Sequence, residues 1–178
     1  MNRRVRASSL FWLAALGVTS ACLRHPGQDV RYEPTPMHVV RTMLTMAKVG
    51  PDDLVYDLGS GDGRVVITAA KEFGARGVGI EVYPPLLERA RRGAREAGVG
   101  DKVDFRLGDM YAADLRGATV VTLFLHPTPN LKLRPRLRSE LAPGARVVSY
   151  MWDMDDWRPD DVRRVGRHRV YLWRIGDR

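Results

Sequence analysis

Asp57-Leu58-Gly59-Ser60-Gly61-Asp62-Gly63 has the composition of a ligand-binding turn. Glycine at every second position lets the backbone bend sharply and removes the Cβ atoms that would hold a ligand away. Asp57 closes an apolar run and suits the ammonium of an amino-acid-like ligand. Asp57 and Asp62 flank the turn, and both repel a pyrophosphate. The spacing G-x-G-x-G also differs from the dinucleotide fingerprint G-x-G-x-x-G, whose last glycine packs the helix that carries a pyrophosphate. No Gly-Lys-Ser/Thr follows, which excludes a P-loop. A cationic sulfonium nucleoside tolerates both acids.

Two further groups fit such a ligand. Glu81 ends the next apolar run and can accept both hydroxyls of a ribose. Gly108-Asp109-Met110 follows the third run, where a side-chain acceptor can meet an adenine amino group. Asp57, Gly59, Ser60, Gly61, Gly63, Glu81, Asp109 and Met110 together form the expected site for S-adenosyl-L-methionine (SAM), with an NAD-dependent dehydrogenase as the competing nucleotide reading. No metal is expected. His25, His38 and His168 lack metal-ligand spacing, and the single cysteine, Cys22, has no partner.

These groups must be carried by strands that end on one edge of a sheet. Runs at 54–58, 77–81, 103–107, 120–125 and 146–150 alternate with helical patterns, the signature of a mostly parallel sheet with crossover helices. Thr35-Pro36 reads as an N-cap followed by proline at the first helical position. The helix it opens carries Met37, Val40, Leu44 and Ala47 on one face. Helices are also expected over 65–73, from Pro84 to Ala97 and, shorter, over 135–141. Stretches 161–165 and 170–175 read as a final antiparallel hairpin. The expected fold is α/β and Rossmann-like, a mostly parallel seven-strand sheet with helices on both faces and that hairpin at its end.

Length leaves room for one such domain, over 29–178, behind a linker at 23–28 and a leader at 1–22. An apolar fraction of 44% and a charged fraction of 28% exclude disorder. In the leader, Arg3, Arg4 and Arg6 precede an apolar run too short for a comfortable transmembrane helix, and Thr19-Ser20-Ala21-Cys22 resembles a bacterial lipobox. The leader reads as a signal peptide or a membrane anchor. The expected location is a membrane, as a periplasmic lipoprotein or on the cytoplasmic face. Removing the three leader arginines from the formal net charge of +8 leaves +5. That balance fits an acidic partner or simply an arginine-rich composition. Arg89, Arg91, Arg92 and Arg95 read as a solvated helix face, and no nucleic-acid partner is expected.

The three cofactor elements resemble the class I, seven-strand SAM-dependent methyltransferases over nearly all of residues 30–178. Tyr32-Glu33-Pro34-Thr35-Pro36, Asp57 to Arg64, and Asn130-Leu131-Lys132-Leu133-Arg134-Pro135 resemble more narrowly the lysine methyltransferases that modify the adenine nucleotide translocase and the ATP-synthase c-subunit. The resemblance implies a lid over the transferred methyl group, formed by Tyr32 to Pro36, and Asn130 near the acceptor. Tyr32, Thr35 and Asn130 are thus the acceptor-side candidates. It also implies a protein substrate, membrane proteins included. The chain departs in Glu33, where the family usually has an apolar residue, and in its lipobox-like leader. His126, after the fourth strand, is a further candidate for substrate contact, and Trp152 and Trp157 are either pocket wall or loop packing. His126-Pro127-Thr128-Pro129 is not the Asp/Asn-Pro-Pro-aromatic motif of DNA amino-methylating enzymes. The expected activity is SAM-dependent N-methylation of a protein lysine. A small-molecule methyltransferase and a lipid-anchored, non-catalytic binding module are the alternatives.

Overall fold

A computed structural model describes residues 32–176. The leader, Cys22, the linker and the first residues of the expected domain lie outside them. The elements are α1 (Met37–Met46), β1 (Leu54–Leu58), α2 (Arg64–Phe73), β2 (Arg76–Glu81), α3 (Pro84–Glu96), β3 (Val103–Leu107), β4 (Val120–Leu123), α4 (Pro127–Glu140), β5 (Arg146–Tyr150), β6 (Asp161–Val165) and β7 (His168–Arg174). They build one seven-stranded sheet in the order β3-β2-β1-β4-β5-β7-β6. β1 to β5 are parallel, and β7 runs antiparallel to both β5 and β6.

Both faces of the sheet are covered, which is why its central strands are buried and largely apolar, with Asp57 and Thr122 as the polar exceptions in β1 and β4. Alternate residues serve two cores. Val55, Val120, Val148 and Leu172 face a cluster with Val40 and Leu44 of α1, Val66 and Ala69 of α2, and Leu87 and Ala90 of α3. Tyr56, Val121, Val147 and Trp173 face the other cluster with Leu133 and Leu137 of α4. Strand order reverses between β1 and β4, and such a reversal opens a crevice beyond the carboxyl ends of the strands. At the opposite end of the sheet, buried Asp53 accepts hydrogen bonds from Thr119 (2.7 Å), Gly50 N (2.9 Å) and Arg146, tying the starts of β1, β4 and β5 together.

α2 and β2 each begin one residue earlier than expected and α3 ends one earlier, at Glu96, and larger changes fall elsewhere. The helix expected at 135–141 is the end of α4, which begins at Pro127 and runs through Pro135. Pro127 and Pro129 sit in the first turn, where no backbone donor is required. Leu133 and Leu137 are fully buried, and that stripe holds the helix on the sheet. β4 stops at Leu123, so Phe124 and Leu125 leave the ladder. β7 begins at His168 and ends at Arg174. Finally, Pro36 rather than Thr35 caps α1, its carbonyl accepting from Val39 and Val40, and Met37 is 38% exposed rather than on the inner face. The buried face of α1 is completed by Val39, Met43 and Met46.

Candidate active site

The turn leaving β1 is pinned to its neighbour strand: the amides of Gly59 and Ser60 both donate to the carbonyl of Ile80, at 2.9 Å each. Gly61 has φ +55, and a Cβ there would lie 2.6 Å from the Tyr32 ring. Glycine at 61 therefore lets the segment before α1 lie directly on the turn. Behind the turn, Glu81 is 6% exposed, and its two carboxylate oxygens accept from Gly61 N and Tyr83 N, each at 2.8 Å. Each oxygen keeps a second lone pair for a ligand hydroxyl.

Asp57, 5% exposed, accepts from the Thr122 hydroxyl at 2.7 Å. Burial pushes its carboxyl up to about 7, the Thr122 hydrogen bond opposes this, and the charges of Glu81 and Asp62 add to it. Asp57 and Glu81 form no ion pair among the described residues. Two buried acids side by side without a cation are costly unless a positively charged ligand joins them. The buried hydroxyl of Ser60 also lacks a hydrogen-bond partner. These groups fit a cationic nucleoside carrying an amino-acid tail.

That geometry sets a pH dependence. A folded-state pKa raised above the usual carboxylate value means that the native protein holds a proton the unfolded chain has lost. Stability from this site therefore falls as pH rises from about 4 to about 7. A ligand ammonium favours the carboxylate, so ligand binding at about pH 6 is expected to release a proton. Calorimetric titration in buffers of different ionisation enthalpy checks this: the heat should depend on buffer, and the dependence should vanish in Asp57→Asn.

Residues 32–35 close the other side of the cleft, which is lined by both the turn and this segment. Thr35 is buried, and its carbonyl accepts from Arg64 Nη1 at 2.9 Å. Arg64 in turn grips Asp62 through two hydrogen bonds, of 2.8 and 2.6 Å. One guanidinium thus joins the turn to the segment that covers it. Burial and then the nearby Asp62 charge raise the Tyr32 phenol above its ordinary value, although its hydroxyl makes no hydrogen bond of normal geometry. Met43 and Phe124 supply apolar wall, and Glu33 is exposed at the rim.

Of the residues expected from sequence, Tyr32, Thr35, Asp57, Gly59, Ser60, Gly61, Glu81, Asp109 and Met110 all line this cleft. Asp109 is exposed and accepts from Tyr111 N at 2.9 Å. Gly63 does not line it, and packs instead against Phe105 and Ala90. Asn130 lies apart, fully buried, donating to Ser149 Oγ (3.1 Å) and the Trp152 carbonyl (3.3 Å). It braces the loop after β5. His126 is exposed, with its ring 6.0 Å from that of Trp152. Trp157 packs against Trp173 at 5.5 Å and accepts its indole N–H at the backbone carbonyl, so loop packing accounts for it. Arg89, Arg91, Arg92 and Arg95 are exposed on α3, as expected. Sequence reasoning assigned no role to Arg64, Met43 or Phe124. Only the helical period of α1 hinted at Met43.

Comparison with known proteins narrows the chemistry. Residues 57–161 match the family described as the ANTKMT methyltransferase domain. A protein-lysine N-methyltransferase of Saccharolobus islandicus is 44% identical over 153 residues, covering 83% of this chain and 95% of that protein. The mouse adenine nucleotide translocase lysine N-methyltransferase is 35% identical over 148 residues, and the match spans 64% of its length. A crystal structure described as an RNA methyltransferase from Salinibacter ruber, in complex with S-adenosyl-L-homocysteine, is 53% identical with a TM-score of 0.81, covering 82% of this chain and 95% of that one. S-adenosyl-L-homocysteine is SAM without its transferable methyl group.

Proposed function

The chain belongs to the ANTKMT methyltransferase family of SAM-dependent enzymes, and from that premise we propose that it methylates the side-chain amine of a lysine in a protein. The observation that carries the acceptor is the 44% identity to an archaeal protein-lysine N-methyltransferase over nearly its whole length.

SAM supplies a methyl group already activated on a positively charged sulfur. The protein's task is to bind, align and dry the site, and in-line placement at about 3 Å is worth several kcal/mol of barrier. Asp57 takes the ligand ammonium, Glu81 the ribose hydroxyls and Asp109 the adenine amino group. On the acceptor side, Glu33 attracts the lysine as an ammonium ion. Met43, Phe124 and the Tyr32 ring then offer it an apolar passage, where desolvation lowers its pKa from about 10.4. Before transfer the lysine ammonium gives its proton to solvent at the cleft mouth. The buried Tyr32 hydroxyl, beside Asp62, accepts a hydrogen bond from the neutral amine and holds its lone pair toward the methyl group. Thr35 holds the lid through the Arg64 bond. Asn130 acts at a distance, by positioning the β5 loop.

Tyr32→Phe keeps the ring against Gly61 and removes only the hydroxyl, so kcat is expected to fall by about tenfold or more with SAM affinity unchanged. Full activity in Tyr32→Phe combined with Thr35→Ala removes the lid from the mechanism.

Tritiated SAM, incubated with the enzyme and a total cell extract, tests the function. Label is expected in protein, on lysine by mass spectrometry. A second reading, transfer to RNA, is favoured by the description of the Salinibacter structure, and protease-resistant, ribonuclease-sensitive label would establish it. We further propose that residues 1–22 hold the enzyme at a membrane, with Cys22 as the lipidated residue. Recovery of the full-length protein entirely in the soluble fraction rejects that part.

A further inference from the structure

We propose that the β6–β7 hairpin is a docking surface for acidic residues flanking the target lysine, an inference that rests on the lysine reading above. Arg163, Arg164, Arg167 and Arg169 are all exposed there. Register sets Arg164 directly opposite Arg169, and like charges facing each other across a ladder are unfavourable. None of the four has a carboxylate within ion-pair distance among the described residues, whereas Arg64, Arg134, Arg136 and Arg146 each hold one. Of the nearby acids, Asp156 is held by Arg134 and Asp160 accepts from Arg174 N, while Asp161 lies exposed at the start of β6. Arg164 and Arg167 are steadied through Nε, by the Gly166 carbonyl (2.9 Å) and His168 Nε2 (3.2 Å). An unneutralised cluster kept in order is a surface awaiting anions.

Place adds to charge. Arg164, Arg167 and Arg169 line a shallow pocket with Trp152 and Tyr171. An aromatic row connects it to the methyl-transfer cleft: Phe124, in the cleft wall, lies 4.7 Å from Tyr150, which meets His168 edge-on at 5.8 Å. The two steps together bound the row at about 10 Å, within the reach of roughly three residues of extended chain. Tyr150 senses both ends. Burial chiefly, and then the Glu33 charge, hold its phenol above the ordinary value, and Arg167 opposes them. The face is therefore dipolar. Glu33 at the cleft mouth suits a lysine ammonium, and the hairpin suits carboxylates a short distance along the same chain. Exposed Glu33, Asp153 and Asp155 disfavour a continuous phosphate backbone, so an acidic polypeptide is the better occupant.

Methylation of synthetic peptides by the full-length enzyme decides the matter. Three peptides carry one central lysine, with glutamate, glutamine or arginine about three to four residues away on either side. The glutamate peptide is expected to have a KM at least about tenfold below that of the glutamine peptide at low salt, and the advantage should shrink as salt rises. In Arg164→Gln/Arg169→Gln the advantage should drop below about twofold with SAM affinity retained. Should that variant fail to bind SAM, the wild-type peptide ranking alone decides. Equal KM values for the three peptides, or a preference that survives the double variant, overturns the inference and leaves the lysine reading standing. Methylation of none of them overturns both. Absence of peptide preference together with RNA binding lost in the double variant assigns the hairpin to RNA instead and overturns the inference.

Discussion

Alanine at position 63 is expected to lower the midpoint of thermal unfolding by about 10 °C, more than any other single methyl group added to the cofactor turn. Gly63 has φ +78, and the left-handed backbone costs a residue with a Cβ about 1–2 kcal/mol. The added atom would also lie 2.5 Å from the tip of the Phe105 ring and 2.8 Å from the Ala90 Cβ. Phe105 belongs to β3 and Ala90 to α3, both in the buried core, and neither is the free end of a flexible chain. Overpacking of that kind adds about 1–3 kcal/mol, for a total near 3 kcal/mol. Gly98→Ala is the control. Its φ is +72 but nothing lies within 4 Å, so only the backbone cost applies, and a drop of about 3–5 °C is expected. Scanning calorimetry of the two variants separates the contributions. Equal midpoints would show that the turn does not depend on close packing against α3 and β3.

Gly63 also shows what was legible in the sequence. Its glycine reads as part of a ligand turn, and the turn is where expected, between β1 and α2. Its reason is helix packing, which depends on partners 27 and 42 positions away that spacing alone cannot supply. The same division holds elsewhere. β1 and β5 have the expected bounds because buried strands are short apolar runs cut off by turn residues. Phe124 and Leu125 are as apolar as β4 itself, yet they leave the ladder to line or border the cleft, since apolarity reports burial and not pairing. In α4, three prolines and several basic residues obscure the helical period, so only Leu133 and Leu137 mark its inner face. Asn130 has the look of an acceptor-side residue in a motif, but its NH2 donates to Ser149 and to the Trp152 carbonyl of the β5 loop, while its buried Oδ1 has no hydrogen-bond partner among the described residues. The Arg64 bond to Thr35 joins residues 29 apart, and the opposition of Arg164 to Arg169 depends on hairpin register. Local chemistry is written locally. Contacts made by the fold are not.

Glu81→Gln is expected to weaken SAM binding by about 30-fold or more, nearly as much as Glu81→Ala at about 100-fold, although glutamine matches glutamate in shape. The reason is the direction of two existing hydrogen bonds. Gly61 N and Tyr83 N both donate to the carboxylate, one to each oxygen. An amide has a single acceptor oxygen, so its NH2 must face one of those N–H groups, leaving a buried donor unpaired at about 1–3 kcal/mol. Loss of the charge-assisted bonds to the ribose hydroxyls adds about another 1.5–3 kcal/mol. Asp109→Asn, by contrast, changes an exposed side chain and should cost threefold or so. Calorimetric titration with SAM at neutral pH orders the three variants, and Glu81→Gln binding within about threefold of wild type would mean the ribose lies elsewhere. Glu81→Gln carries a second signature. Removing its charge relieves the repulsion that helps raise Asp57, so the Asp57 carboxyl should ionise at lower pH. The native protein then keeps that proton over a narrower window, and less stability is lost as pH rises to neutrality. A variant that binds its ligand worse, and whose stability falls less steeply as pH rises to 7 whatever its lost hydrogen bond costs at every pH, is what two buried acids, kept close for the sake of a cation, should produce.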